Sequence, residues 1–119
     1  MKKITSEIKR LYKAFFYSVD GITEAYKTEP AFRIEIAVAI VAIPLALWLD
    51  CTGAEKALLI GSIFLVLLVE LINSGIEAVV DRISEEKHPL SKKAKDVGSA
   101  AVLVAVLNAF AIWALVLLA

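Results

Sequence analysis

Residues 97–119 read VGSAAVLVAVLNAFAIWALVLLA, a run of 23 residues without a charged side chain. About 20 helical residues cross the roughly 30 Å hydrocarbon core of a bilayer, so this run can span a membrane alone. Two shorter uncharged runs, 36–49 and 57–69, precede it. Each reaches spanning length when the first is extended back to about Ala31 and the second on to about Val80. The pattern therefore predicts three transmembrane helices.

The composition favours a small membrane protein over a soluble domain. The chain has 119 residues, enough for one domain over 1–119. Hydrophobic residues make up 60% of it, against about 45–50% in soluble domains. Thirteen basic residues balance thirteen acidic ones, so no basic excess supports a nucleic-acid partner. No glycine-rich phosphate loop or protein-kinase signature is present, which excludes a soluble type of nucleotide-binding fold.

The N-terminal part of the chain predicts a helix that lies on the membrane surface. Apolar residues recur at steps of three and four between positions 3 and 28, and charged residues occupy the other faces. This is the pattern of an interfacial amphipathic helix, which Gly21 could divide in two. Pro30 then favours the first turn of a new helix, and Ser91 could cap the last one. The predicted helices cover 3–28, about 31–49, 55–81 and 92–119.

The connecting segments predict the orientation of the chain, because Lys and Arg accumulate on the cytoplasmic side of short connections. Seven basic residues precede the first span and five lie between the second and third. Only Lys56 lies between the first and second. We therefore expect the N-terminus and the 81–96 loop in the cytoplasm, and the C-terminus outside.

The most informative stretch ends the second span, where residues 70–81 read ELINSGIEAVVD. Its four polar side chains are 3, 4 and 4 residues apart, which places them on one narrow stripe at about 100° per helical residue. They are Glu70, Asn73, Glu77 and Asp81. One polar residue often only holds helices together, but four on one stripe favour a functional site. A carboxylate removed from water could accept a proton from a substrate hydroxyl, and a more exposed one suits Mg²⁺.

Two further polar clusters are expected at the same depth. Lys95 and Ser99 share one face at the start of the third span, opposite the stripe. Glu29, Arg33 and Glu35 begin the first span, although an ordinary Glu29–Arg33 salt bridge is an alternative there. Carboxylates and cations that converge where cytosol meets bilayer suit a metal-bound polyphosphate above and a lipid headgroup below.

These motifs resemble those of a known family, the bacterial integral-membrane diacylglycerol kinases. Residues 70–82 read ExxNSxxEAVVDR and residues 94–102 read AKDxGSAAV, both similar to the family signature, as are 31–35 and 10–18. The resemblance implies an all-α integral membrane protein with an N-terminal amphipathic surface helix and three transmembrane helices. It implies a homotrimer with shared active sites in the bacterial inner membrane, which transfers the γ-phosphate of MgATP to a lipid hydroxyl.

The resemblance also implies roles for individual residues. Glu70 takes the position of the general base, and Glu29 and Glu77 take the positions of the Mg²⁺ ligands. Positions that orient or bind nucleotide and phosphates are matched by Arg10, Asn73, Lys95 and Asp96. Further substrate or nucleotide contacts are expected at Lys13, Tyr17, Arg33, Glu35 and Ser99.

The acceptor lipid needs a separate argument, because a sister branch of the family phosphorylates undecaprenol. Residues 33–35, 81–83 and 98–100 look like the diacylglycerol branch, whereas Val19 and Pro30 depart from it. The first of these segments includes Arg33 and Glu35, which could hold glycerol esters directly or by ordering their neighbours. A polyprenol has no ester. Diacylglycerol is therefore the expected acceptor and phosphatidic acid the expected product.

Two other classes of function stay open from the residues alone. A membrane glutamate in a chain of this length also suits a small proton-coupled transporter. That class needs a carboxylate accessible from both sides and usually four spans. A regulatory or structural subunit is the other alternative, and it would consume no ATP with any lipid.

Overall fold

The computed structural model describes residues 1–83 and 85–119, and these ranges fold entirely as helices and short connections. The four helices are α1 (Lys2–Thr28), α2 (Pro30–Trp48), α3 (Gly53–Ile83) and α4 (Pro89–Leu118). The predicted all-α class is confirmed. Ser84, which belongs to the loop expected in the cytoplasm, lies outside the described residues.

Three of these helices are long and apolar enough to cross a membrane. They are α2 with 19 residues, α3 with 31 and α4 with 30. Large apolar side chains cover their outer surfaces, and Ile40 and Phe110 are 68% and 71% exposed. An apolar outer surface suits lipid, whereas backbone polar groups are satisfied within each helix. The prediction of three candidate spans is confirmed.

α3 is the central helix, because it packs against each of the other three. Its most extensive contact is with α4, and its next is with α2. Small buried side chains such as Ala39, Ala46 and Ala105 let these helices approach closely. Ser62 links α3 to α4, since its hydroxyl donates to the Leu59 carbonyl at 2.7 Å and accepts from Trp113 Nε1 at 3.2 Å.

Two details of the predicted helix boundaries are wrong. α1 continues through Gly21 without a break, because one interior glycine costs only about 1 kcal/mol of helix stability. α4 begins at Pro89 and is capped by His88, whose Nδ1 accepts a hydrogen bond from the Leu90 N–H at 3.1 Å. Ser91 is therefore not the cap. Pro89 occupies the first helical position, so the cap falls on the residue before it.

A short turn of residues 49–52 reverses the chain between α2 and α3. Thr52 and Glu55 form a capping box, in which each backbone N–H donates to the side chain of the other, at 3.0 and 3.1 Å. Lys56 Nζ donates to the Leu47 carbonyl at 2.7 Å. These contacts tie the end of α2 to the start of α3.

The junction of α1 and α2, residues 26–33, forms an elbow with Glu29 as its only non-helical residue. Arg33 Nη1 donates to the carbonyl oxygens of Tyr26 at 2.8 Å and Lys27 at 3.0 Å. The last carbonyls of a helix lack intrahelical partners, so Arg33 satisfies two of them. The elbow therefore fixes where Glu29 lies relative to α2.

Candidate active site

The polar stripe of α3 forms one wall of the site. Glu70 and Asn73 are buried, at 6% and 8% exposure, and Glu77 is half-buried. Asn73 Nδ2 donates to Glu77 Oε1 at 3.4 Å. Because α3 is unbroken to Ile83, the spacing in the sequence becomes a continuous row of polar groups.

Carboxylates from three segments of the chain converge on this wall. The charges of Glu29, in the elbow, and of Glu77 both act on Glu70. The charge of Glu70 in turn acts on Glu35 of α2. Like charges repel one another, and the repulsion grows as water is excluded. The carboxylates of these segments therefore interact electrostatically at one end of the bundle.

Lys95 brings a positive charge to the same end of the bundle. Its Nζ pairs with Asp81 Oδ1 at 2.6 Å, and the charge of Glu77 also acts on it. Asp96 instead pairs with Lys92, one turn back on α4, at 2.5 Å. Both pairs are exposed to water, so they contribute little to stability, and Lys95 can exchange Asp81 for another anion.

An apolar cavity of about 410 Å³ lies between α2, α3 and α4, with Glu35 on its wall. Val66 and Phe110 line it, and it extends to Trp113. Glu35 Oε2 is buried without a hydrogen-bond partner among the described residues. The cavity therefore combines an apolar interior with one carboxylate oxygen that a hydroxyl could satisfy.

Arg33 lies in the elbow, where the alternative of a Glu29–Arg33 salt bridge does not form. Among the described residues, its hydrogen bonds go from Nη1 to the two α1 carbonyls and not to the Glu29 carboxylate. The structure thus gives Arg33 an ordering role at the junction. Its Nε and Nη2 make no hydrogen bond within the described part of the chain.

Four of the expected site residues are exposed and form no hydrogen bond or ion pair with the stripe among the described residues. Arg10, Lys13 and Tyr17 are exposed on α1. The groove between α1 and α3 begins at Ser18, and these three residues precede it. Ser99 is likewise exposed, on α4.

Two partners at the site were not assigned a role from the sequence. Asp81 belongs to the stripe, and its spacing could have indicated that it faces Lys95. Gly98 contacts the Asn73 side chain, which no local pattern indicates, because that contact depends on the separation of α3 and α4.

Comparison with known proteins gives consistent matches along the chain. Residues 16–117 match the model of the prokaryotic diacylglycerol kinase family. The diacylglycerol kinase of Escherichia coli K12 is 46% identical, over 98% of this chain and 96% of its own length. The diacylglycerol kinase of Pseudomonas aeruginosa is 49% identical, over 93% of this chain and 90% of its own. That of Helicobacter pylori 26695 is 49% identical, over 93% and 87%.

Three candidate spans and a carboxylate cluster at one end of the bundle, taken with these matches, define a membrane-embedded kinase. The chain belongs to the prokaryotic diacylglycerol kinase family. It is an ATP-dependent kinase and a multi-pass membrane protein, and the resemblance noted in its sequence is confirmed.

Proposed function

We propose that the chain transfers the γ-phosphate of MgATP to the hydroxyl of diacylglycerol, giving phosphatidic acid. The position of Glu70 carries the proposal. Glu70 is buried, and its charge interacts with those of Glu29, Glu77 and Glu35. Glu35 in turn lines the apolar cavity. A base with a polyanion site on one side and an apolar cavity nearby suits a lipid kinase. The relatives named diacylglycerol kinase support the same acceptor.

The test is phosphate transfer from labelled ATP in mixed micelles that contain 1,2-diacylglycerol. We expect labelled phosphatidic acid whose formation requires both the chain and Mg²⁺. A folded chain that binds MgATP but labels no lipid would contradict the proposal and favour a regulatory subunit.

In the proposed reaction, Glu70 is the general base. Its carboxylate accepts the proton of the acceptor hydroxyl as that oxygen bonds to the γ-phosphorus of ATP. The bond from the γ-phosphorus to the bridging oxygen breaks, and ADP leaves with that oxygen. Nucleotide binding is assigned to Arg10, Asn73, Lys95 and Asp96, and further substrate contacts to Lys13, Tyr17, Arg33, Glu35 and Ser99.

Mg²⁺ is the proposed cofactor, with Glu29 and Glu77 as its ligands. Within the described ranges, no group of three or more His, Cys, Asp and Glu residues could hold a metal by itself. Two carboxylates still suit Mg²⁺, which is often bound by one or two carboxylates plus substrate phosphates. A cation bound there neutralises charge on the transferred phosphate.

Replacing Glu77 with Gln is expected to raise the Mg²⁺ concentration for half-maximal activity at least about tenfold, because one anionic ligand is lost. Glu29→Gln should act in the same direction. The measurement is a Mg²⁺ titration of activity at fixed ATP. Glu55→Gln is the matched control, since it makes the same change in the capping box at the opposite end of α3. An unchanged titration for both variants would remove these residues from the metal site.

The proposal includes a homotrimer at the bacterial inner membrane, with the N-terminus in the cytoplasm and the C-terminus outside. α1 would lie on the inner surface as an amphipathic helix, and its exposed Leu11 and Phe15 support that placement. Arg10, Lys13 and Tyr17 on α1 are exposed and form no hydrogen bond or ion pair with the stripe among the described residues. We assign them to the site of an adjacent subunit.

Shared sites are testable by mixing two inactive chains. Glu70→Gln and Arg10→Ala chains assembled together should recover activity, because random mixing would complete about one quarter of the sites in a symmetric trimer. Glu70→Gln mixed with Glu70→Ala is the control and should show no recovery, since neither chain supplies the Glu70 carboxylate. No recovery in confirmed mixed assemblies would favour sites built within one chain.

A further inference from the structure

Gly98 on α4 lies directly against the Asn73 side chain of α3. A Cβ added at Gly98 would overlap Asn73 Oδ1 and lie 3.2 Å from Asn73 Cγ. The same construction at the other four glycines meets nothing within 4 Å. Gly98 is also buried. The Asn73 carboxamide therefore occupies the space that any side chain at position 98 would take.

This carboxamide is held by a single weak hydrogen bond among the described residues. Asn73 is buried, and its Oδ1 accepts no hydrogen bond from the residues that the structure describes. On the other side, its Nδ2 donates to Glu77 Oε1 at 3.4 Å. That distance is near the upper limit for a hydrogen bond, so a displacement of a few tenths of an ångström would break it.

We infer that Gly98 is a positioning residue for the phosphotransfer site. Without a side chain, it leaves the room in which Asn73 orients the Glu77 carboxylate. The inference rests on the proposed role of Glu77 as a Mg²⁺ ligand. It gives Gly98 a purpose beyond close helix packing, because the space is filled by one polar group and not by the backbone of α3.

Gly98→Ala tests this, since the added methyl group must displace the Asn73 carboxamide, whose Nδ2 donates to Glu77. A hydrogen-bond partner that orients a metal ligand typically changes metal affinity 10–100-fold when it is lost. We therefore expect the Kd for a non-hydrolysable MgATP analogue to rise about tenfold. The KM for MgATP should rise in parallel, with kcat much less affected. Gly61→Ala is the control, because it makes the same change in open space on α3 and should leave the Kd unchanged.

The decisive comparison repeats Gly98→Ala in an Asn73→Ala background. If Gly98 acts through Asn73, the second substitution should add no further loss of affinity, because the displaced group is gone. An equal additional loss in that background would overturn the inference. So would a folded Gly98→Ala chain with unchanged Kd when Asn73→Ala binds weakly. An Asn73→Ala chain with the original Kd would instead overturn the proposed role of Asn73, and the inference with it.

If Gly98→Ala alone does not fold, the double variant should recover cooperative thermal unfolding in micelles, because removing the carboxamide removes the overlap. A double variant that still fails to fold would place the clash elsewhere and overturn the inference.

Discussion

Glu70→Gln is expected to lower kcat by about 10²–10⁴-fold, the range typical of a lost general base, while MgATP binding stays nearly intact. Gln keeps the shape of Glu but cannot accept the hydroxyl proton. The carboxylates of Glu29 and Glu77, the proposed metal ligands, remain in place. The measurement is steady-state transfer to diacylglycerol in micelles, together with the Kd for a non-hydrolysable MgATP analogue.

The same change at Glu55 is the control for this prediction as well. Glu55 lies in the capping box at the far end of α3. The kcat of the Glu55→Gln chain should therefore stay near that of the unaltered chain. A Glu70→Gln chain with comparable turnover would remove Glu70 from the mechanism. A variant that loses nucleotide affinity without losing kcat would reassign Glu70 to binding.

Diacylglycerol is expected to exceed undecaprenol in kcat/KM by at least about 10²-fold, because a site built to hydrogen-bond its substrate discriminates strongly against an analogue without those groups. Diacylglycerol carries two ester carbonyls beside its hydroxyl, and undecaprenol carries none. Only Nη1 of Arg33 donates to the carbonyls of the elbow. Its Nε and Nη2 have no partner among the described residues and can donate to the ester carbonyls. Glu35 offers a buried, unpartnered oxygen at the cavity.

The acceptor comparison uses one preparation of the protein and one detergent, with both lipids at equal mole fraction. An equal or higher kcat/KM for undecaprenol would overturn the choice of acceptor and leave the lipid-kinase assignment in place. A long isoprenoid chain could fill the apolar cavity, so the esters and not the acyl chains carry the expected difference.

The helices were predictable because hydrophobic length constrains a membrane protein strongly. The residues at which the helices begin and end were harder to predict, since they depend on local capping. The Thr52–Glu55 box and Pro89 fix where α3 and α4 begin, and each helix starts before its predicted residue. At Gly21 the sequence indicated a possible break that does not occur, because the weak helix preference of one glycine is outweighed by the helical residues on either side of it.

The site was partly predictable for a similar reason. Glu70, Asn73 and Glu77 belong to one helix, whose regular geometry fixes their common face. Contacts between segments need distances that a sequence does not contain. The Arg33 bonds across the elbow and the fit of Asn73 against Gly98 are of that kind, because each depends on one side-chain conformation and one helix separation.

Because Glu29 is the non-helical residue between α1 and α2, a rotation of α1 at the elbow would be centred on Glu29. α1 has 27 residues, so at a rise of about 1.5 Å per residue it is about 40 Å long. A small rotation of α1 about this point hardly moves Glu29. Arg10 lies about 28 Å from Glu29 along α1, so a rotation of about 10° moves it by about 5 Å. The two hydrogen bonds of Arg33 therefore restrain this rotation, and their loss should let the position of Arg10 vary much more than that of Glu29.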